Sequence, residues 1–305
     1  MRPFVLGTRG SSLAMCQAQI VQTRLEERFP TRRVELKPIT AHADKHPELP
    51  LVAMGGEGVF VKELEQALAS GAIDGAVHSL KDLPVATPTA LRIAAVLERE
   101  DARDALVSRS GQGLAALPPG ARVGTSSLRR RSQLLRCRKD LQLLDMRGNV
   151  DTRLRKLDEG QYDAIVVAAC GLIRLGLEER ITEYLDLSVM LPEPGQGALA
   201  VETRADDRDA LAFVGTLEDP VSRACVDAER AFLQALGGGC RVPIAAYAAC
   251  DGATLTLDGS VTAADGTASV RGRLQGPMTK PAALGERLAA QLSDQGAKQL
   301  LSGAG

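Results

Sequence analysis

Residues 3–29 read PFVLGTRGSSLAMCQAQIVQTRLEERF, and residues 121–138 read ARVGTSSLRRRSQLLRCR. In the first stretch a short apolar run ends at a glycine. A polar turn follows, and then Leu13, Cys16, Ile20 and Leu25 fall near one face of a helix. This spacing predicts a strand, a turn and a helix. The second stretch repeats the device: Gly7 to Leu13 and Gly124 to Arg130 each place Gly-Thr, then a serine pair, between a strand and a helix. Serine favours the position that caps a helix, and a helix N-terminus offers unpaired N–H groups to an anion. One such turn reads as capping alone. Two copies predict sister domains, each presenting an anion-binding turn.

The same alternation continues outward from both stretches. VELKPIT, GAIDGAVHS and LRIAAVL read as strands around the helix VKELEQALASG, and the rhythm restarts after EREDARD (Glu98 to Asp104) with ALVS, LQLLDM, NVDTRLRKLDEG and YDAIVVAAC. Alternation of this kind predicts largely parallel sheets covered by helices, the α/β class. Beyond LPEPGQGALAVE the pattern changes. A helix stopped by glycines (DPVSRACVDAERAFLQALGGG), antiparallel strands with Asp-Gly turns (TLTLDGSVTAADGTASVRG) and a closing helix (PAALGERLAAQLSDQGAKQLL) predict a smaller α+β domain at the C-terminus.

At 305 residues, 45% of them hydrophobic, the chain is too large for one small domain. Its formal charge of -1 gives no general reason to bind nucleic acid or a membrane. No apolar run reaches the ~20 residues of a membrane span, and MRPFVLGTRG lacks a signal segment, so the expected location is the cytoplasm. Charge is nevertheless concentrated. From Ala121 to Gly160 nine arginines and two lysines face five acids. Arginine's planar fork suits carboxylate or phosphate, and this segment has no aromatic platform for stacking bases, so a small polyanion fits better than nucleic acid. Arg131, Arg136 and Arg138 read as a solvated outer helix face.

Three further segments draw attention. HSLKDLP (His78 to Pro84) comes where a strand ends, the edge at which open α/β sheets gather ligands; by turn preferences Asp82 reads as a turn residue or cap, and His78 as a strand histidine. MGGEGVFVKELE (Met54 to Glu65) lacks the lysine and hydroxyl ending of a phosphate loop and reads as a flap leading into a helix. LGGGCRVPI (Leu236 to Ile244) puts Cys240 after three glycines and before Arg241. One glycine would cap the helix; three leave side-chain-free backbone that lets a bulky group approach, and a nearby cation favours the thiolate. Of the other cysteines, Cys16, Cys170 and Cys225 suit buried thiols, and no cysteine spacing is of zinc type.

Taken together, LGTRGSSLA, GGEGVFVKELE, AVHSLKDLP, ERED-RDA, VGTSSLRRRSQL, MRGNVDTRL, YDAIVVAACGLIRLGL, PGQGAL and LGGGCRVPI occur in an order that resembles the porphobilinogen deaminases, or hydroxymethylbilane synthases, along nearly the whole chain. The resemblance implies two lobes like those of periplasmic binding proteins plus a smaller C-terminal α+β domain: 1–97 with 198–215, then 103–191, then 220–305. It implies a dipyrromethane cofactor held as a thioether at Cys240, onto which four porphobilinogens are deaminated and joined before hydrolysis releases a linear tetrapyrrole. Asp82 matches the catalytic aspartate. Lys81, Thr125, Ser126, Arg129, Arg130 and Arg147 match cofactor-binding positions, and Arg9, Ser11, Phe60, Arg153 and Arg174 substrate-binding ones. Each pyrrole carries an acetate and a propionate, which explains the arginines. The implied partners are porphobilinogen and pyrrole-chain intermediates, with no nucleic acid, no membrane and no metal, the chain acting as a monomer. Ala53, Glu57 and the AHAD loop (Ala41 to Asp44) depart from the family's flap, while Asp44 and Phe60 are kept. The rival from another class is a two-lobed anion-binding protein without catalysis, which would need no thiol at position 240.

Overall fold

The computed structural model describes residues 2–40, 61–238 and 242–302, and the chain divides into two compact units, Met1–Arg99 with Ala198–Arg223, and Glu100–Gly197 with Ala224–Gly305. The first is built on one sheet. β1 (Phe4–Arg9), β2 (Val34–Ile39) and β3 (Gly75–Ser79) run parallel, as strand–helix alternation requires. β4 (Leu91–Val96) does not join β3. Between them lies β10 (Leu199–Arg204), antiparallel to both, for the order β2-β1-β3-β10-β4.

Helices bury both faces of this sheet. Phe4, Leu6, Val77, Leu199 and Val201 pack with Val21 and Leu25 of α1 (Ser12–Arg28) and Phe213 of α6 (Arg208–Gly215). On the opposite face, Ile73 and Ala76 meet Leu64 and Leu68 of α2 (Lys62–Ala69). That approach is close enough that a Cβ at Gly7 would lie 2.4 Å from Ile73 Cδ1.

In the second unit, β5 (Asp104–Ser108), β6 (Arg122–Gly124), β7 (Gln142–Leu144), β8 (Ala164–Ala168) and β9 (Glu183–Tyr184) take the order β7-β6-β8-β5-β9. β6, β7 and β8 are parallel, and β5 runs against both β8 and β9. Both sheets thus share a plan: three parallel strands, one antiparallel strand, one outer strand. In the first unit the antiparallel strand comes last in the chain; in the second it comes first. Side chains alternate as the pleat demands, Leu106 and Val166 facing Leu134 of α3 (Leu128–Cys137), Val107 and Ile165 facing Leu154 and Leu157 of α4 (Val150–Asp158) and Leu172 of α5 (Ala169–Arg174).

The second unit also carries a three-stranded meander, β11 (Ile244–Asp251), β12 (Thr254–Thr262) and β13 (Ser269–Pro277). Its core joins Leu255 and Leu257 to Phe232 of α7 (Pro220–Ala235) and Leu288 and Leu292 of α8 (Pro281–Asp294).

The architecture is the expected α/β with a smaller C-terminal sheet and helices, with three local corrections. Each large sheet is mixed. Asp258-Gly259 lies inside β12 instead of turning, because Gly259 sits under Phe232, where a Cβ would be 2.6 Å from the ring; the turn falls at Asp265-Gly266, with Gly266 at φ +73. The closing helix breaks at Gly296 (φ +98) into α8 and α9 (Ala297–Ser302).

Candidate functional site

In the first unit, Arg9 closes β1 and Ser11 caps α1, its hydroxyl accepting from Ala14 N at 3.3 Å. The neighbouring parallel strand β3 passes at once into a short 3-10 turn, Leu80–Asp82. That turn is fixed at both ends: Leu80 N donates to Ala198 O, and Leu83 N to Leu80 O at 3.1 Å. Gln17 of α1 reaches across to the Ser79 hydroxyl at 3.0 Å. Arg9, Ser11, Lys81 and Asp82 therefore share the C-terminal edge of one sheet, where ligands of open α/β sheets gather. Asp82 is exposed there, and Arg9, Ser11 and Lys81 are half-buried.

In the second unit the serine-rich turn after β6 is spent largely on its own backbone. The Ser126 hydroxyl donates to Met146 O and accepts from Met146 N, both at 2.9 Å, which ties the two loops together. Thr125 is buried, its hydroxyl accepting from Ser127 N at 3.3 Å, and Ser127 caps α3.

The next two arginines close on a buried acid. Asp104 opens β5, fully enclosed. Arg129 Nη1 donates to Asp104 Oδ2 at 2.6 Å and to Leu191 O at 2.7 Å; Arg130 Nε donates to Asp104 Oδ1 at 2.9 Å, and its Nη1 to Val166 O. Gln196, buried in the PGQG segment, completes the node by donating to Asp104 Oδ1 and Ala102 O. Burial alone would push Asp104 upward; the guanidinium charges and their hydrogen bonds hold it well below the usual carboxylate range. Two cations meet one anion, so the node keeps one net positive charge.

Arg147 is exposed, Arg153 Nε donates to Gly148 O at 2.8 Å, and Arg174 of α5 donates to Gly197 O. The outer-face reading of α3 needs correcting. Arg138 holds the Leu114–Ala116 turn through Leu114 O at 2.7 Å and Leu117 O at 2.9 Å, and Arg131 donates to Leu143 O at 3.1 Å. Arg136 is the exposed member. Among the cysteines, Cys170 and Cys225 are buried and Cys16 is only half-buried, because its helix position lies at the margin of the face that meets the sheet.

Sequence reasoning missed Asp104, Gln196 and Glu229. Glu229 is fully buried on α7 and accepts from Gly195 N and Ala248 N, each at 2.7 Å, joining the PGQG segment to β11. The available signals were an acid opening an apolar strand and another in a helix of apolar period. Cys240 and Phe60 lie outside the described residues, as do Ala53, Glu57 and the AHAD loop. The chain leading to Cys240 is described as far as Gly238: Leu236 is buried and Gly237 turns with φ +69.

Comparison with known proteins bears on both units. Residues 4–212 match the family model described as "Porphobilinogen deaminase, dipyromethane cofactor binding domain", and residues 223–294 match its C-terminal domain. The porphobilinogen deaminase of Roseiflexus castenholzii is 51% identical over 300 residues, covering 98% of this chain and 99% of the relative. That of Methylobacillus flagellatus is 48% identical over 301 residues, 99% of this chain and 97% of the relative. Among solved structures, the VFT2 domain of Bordetella pertussis BvgS aligns with a TM-score of 0.42 at 15% identity, over 70% of this chain and 85% of that one. A YaeC-family lipoprotein of Enterococcus faecalis aligns at 0.41 and 12%, over 71% and 92%. With family models spanning most of its length and relatives near half identical from end to end, the chain belongs to the porphobilinogen deaminase family.

Proposed function

We propose that this porphobilinogen deaminase works through Asp82 at the reacting atoms, through its arginines on the acid side chains of the pyrroles, and through Cys240 as the covalent anchor of its dipyrromethane. When bound, the dipyrromethane supplies a terminal pyrrole carbon as nucleophile. The observation that carries the assignment is the shared edge of the first sheet, where Arg9, Ser11, Lys81 and Asp82 meet at the ends of β1 and β3. Asp82 holds the proton of a pyrrole N–H and offsets the positive charge that grows on that nitrogen as ammonia leaves. Lys81 and Arg9 beside it hold acetate and propionate oxygens.

The residues of the second unit fit a group with four carboxylates. Arg129 and Arg130 leave one positive charge over after Asp104 is satisfied, and Arg129 Nε is buried with no hydrogen-bond partner among the described residues. Arg147 on the loop after β7, Arg153 of α4 and Arg174 at the end of α5 add cations, and Thr125 and Ser126 shape the turn after β6. Phe60, outside the described residues, keeps the substrate-binding role that the family resemblance implies. The domain reading that accompanies this is 1–97 with 198–215, 103–191, and 220–305. The partners are porphobilinogen and its growing chain, with nucleic acid and membranes left out; no helix among the described residues is long and apolar enough to cross a membrane. The protein works as a cytoplasmic monomer.

The test is the mass of the intact chain made with adequate porphobilinogen. It should exceed the sequence mass by two linked pyrroles, with peptide mapping placing the adduct on LGGGC, and Cys240→Ser should lack it, since a hydroxyl is a far weaker nucleophile than a thiolate. A folded chain of unmodified mass that still binds porphobilinogen would return the assignment to a non-catalytic anion-binding protein.

A further inference from the structure

A cavity of about 570 Å³ opens in the second unit, at the end of its large sheet remote from the arginine node. β5 runs from Asp104, paired with Ala168, to Ser108, paired with Ala164 at the start of β8. Ser108 and Arg109 therefore stand at the N-terminal ends of the parallel strands β6 and β8, about 13 Å along β5 from Asp104. The serine turn after β6 lies at the opposite end. The reaction as described uses none of the residues that line this cavity, and its volume is that of a small-molecule pocket.

The lining divides by chemistry. Val107 and Leu157, both buried, and the half-buried Ile181 make an apolar floor. The walls are fixed by hydrogen bonds: Thr182 N donates to Leu106 O at 2.9 Å, Arg109 N to Asp163 O at 3.0 Å, and Ser108 N to Thr182 Oγ1 at 2.9 Å. The Thr182 hydroxyl keeps its own proton to donate. Four charged side chains complete the lining. Arg180 Nη2 donates to Asp158 Oδ1 at 2.6 Å, so these two largely cancel. Arg109 and Glu179 are the remaining pair, both exposed. Arg109 lies beside Gly160, where a Cβ would be 3.1 Å from its Nη1. The nearby Asp163, held low chiefly by its bonds to Arg122, also feels the Arg109 charge, but both its oxygens are already taken by Arg122. The Arg109 guanidinium is thus left to a ligand.

A bare anion entering here would meet Asp158 and Glu179, and a bare cation would meet two arginines. A molecule carrying both charges meets neither penalty. We propose that this cavity is a second binding site, for a small zwitterion with an apolar body. Its carboxylate sits on Arg109 beside the Thr182 hydroxyl, its primary ammonium on Glu179, and its apolar part on Val107, Leu157 and Ile181. A free amino acid with an apolar side chain has this chemistry. So does porphobilinogen, which carries an aminomethyl group and two acid side chains on a pyrrole. The site goes beyond the catalytic reading and does not depend on Asp82 or Cys240.

Hydrogen–deuterium exchange of the cofactor-loaded protein tests it, with peptides covering 105–113 and 177–184 as reporters. The probes are L-leucine, L-phenylalanine and porphobilinogen, with glutarate and inorganic phosphate as anions that lack an ammonium. At least one of the three zwitterions should slow exchange in both peptides, half-saturating at about 1 mM, and the two anions should not. Arg109→Ala and Glu179→Gln should each raise that concentration about ten-fold, since each removes one charge-assisted contact. Protection by porphobilinogen alone identifies the substrate as the occupant; protection by leucine or phenylalanine identifies a free amino acid. Absence of protection by all three zwitterions at about ten times that concentration overturns the proposal. So does equal protection by glutarate or phosphate, which would make this a plain anion site, and so does protection that survives both substitutions. The readout needs no turnover, so its failure leaves the catalytic reading of Asp82 untouched.

Discussion

Asp82 and Asp104 show how two aspartates in one chain come to do opposite things. Asp82 is exposed at a sheet edge, so Asp82→Asn should leave the melting temperature unchanged while removing turnover. Losing charge stabilisation of this kind costs about 100-fold or more in kcat; near-normal rates would exclude the assigned role. Asp104→Asn should instead cost about 3–5 kcal/mol of stability, since it leaves two buried guanidiniums without their anion, and denaturant titration would read this directly. The arginines sort in the same way. Arg136→Leu should be silent in both stability and cofactor mass. Arg138→Leu should destabilise by roughly 1–3 kcal/mol through orphaned carbonyls and keep the cofactor, and Arg130→Leu should impair both. Local pattern made the arginine-rich segment and the strand-end position of Asp82 legible, but it read Asp82 as a turn residue or cap; the roles of Asp82 and Arg9 came from the family resemblance alone. Asp104 was not legible, since its partners come from residues 129, 130 and 196, far along the chain, and nothing local says that an acid opening a strand will be enclosed.

Helices and strands were legible where periodicity is strong, as in α7 and the β12–β13 hairpin, whereas α1 was found as a helix but buries Gln17, Ala18, Val21 and Leu25, with Leu13, Cys16 and Ile20 only half-buried. Direction was not. β5 and β10 are short apolar runs like their neighbours, and an apolar run carries no mark of whether its strand runs with or against the next. Close approach between elements leaves a clearer trace, in glycine. A Cβ at Gly285 of α8 would lie 2.3 Å from Ala228 O and 2.7 Å from Phe232 N of α7. Both are backbone atoms, so the helices must part. Gly285→Ala should lower stability by about 1–3 kcal/mol. The cofactor adduct should still form on the fraction that folds. Thermal melts with mass analysis of the soluble fraction would check both.

For the whole molecule, acid should be a strong denaturant. Asp74, Asp104, Asp163 and Asp207 all sit below the ordinary carboxylate value: burial raises Asp74 and Asp207 but arginine and backbone hydrogen bonds outweigh it, burial raises Asp104 but the Arg129 and Arg130 charges and side-chain hydrogen bonds outweigh it, and Asp163 is lowered by its bonds to Arg122. A depressed carboxyl contributes stability that is complete above its unfolded value near 3.9 and is lost as pH falls toward the folded one. Unfolding free energy should therefore decline from about pH 5 downward, and less steeply in Asp104→Asn. The mixed sheet of the first unit has a further consequence, for synthesis. β10, which separates β3 from β4, is made about a hundred residues after β4. As the chain leaves the ribosome, β3 and β4 emerge with the place between them vacant, while the second unit's large sheet has all its strands by Tyr184. The second-born sheet can thus fold first. A nascent chain arrested after residue 184 has cleared the ribosome but before β10 has should resist protease across 104–184 while its first hundred residues are still cut, the reverse of the order in which they were made.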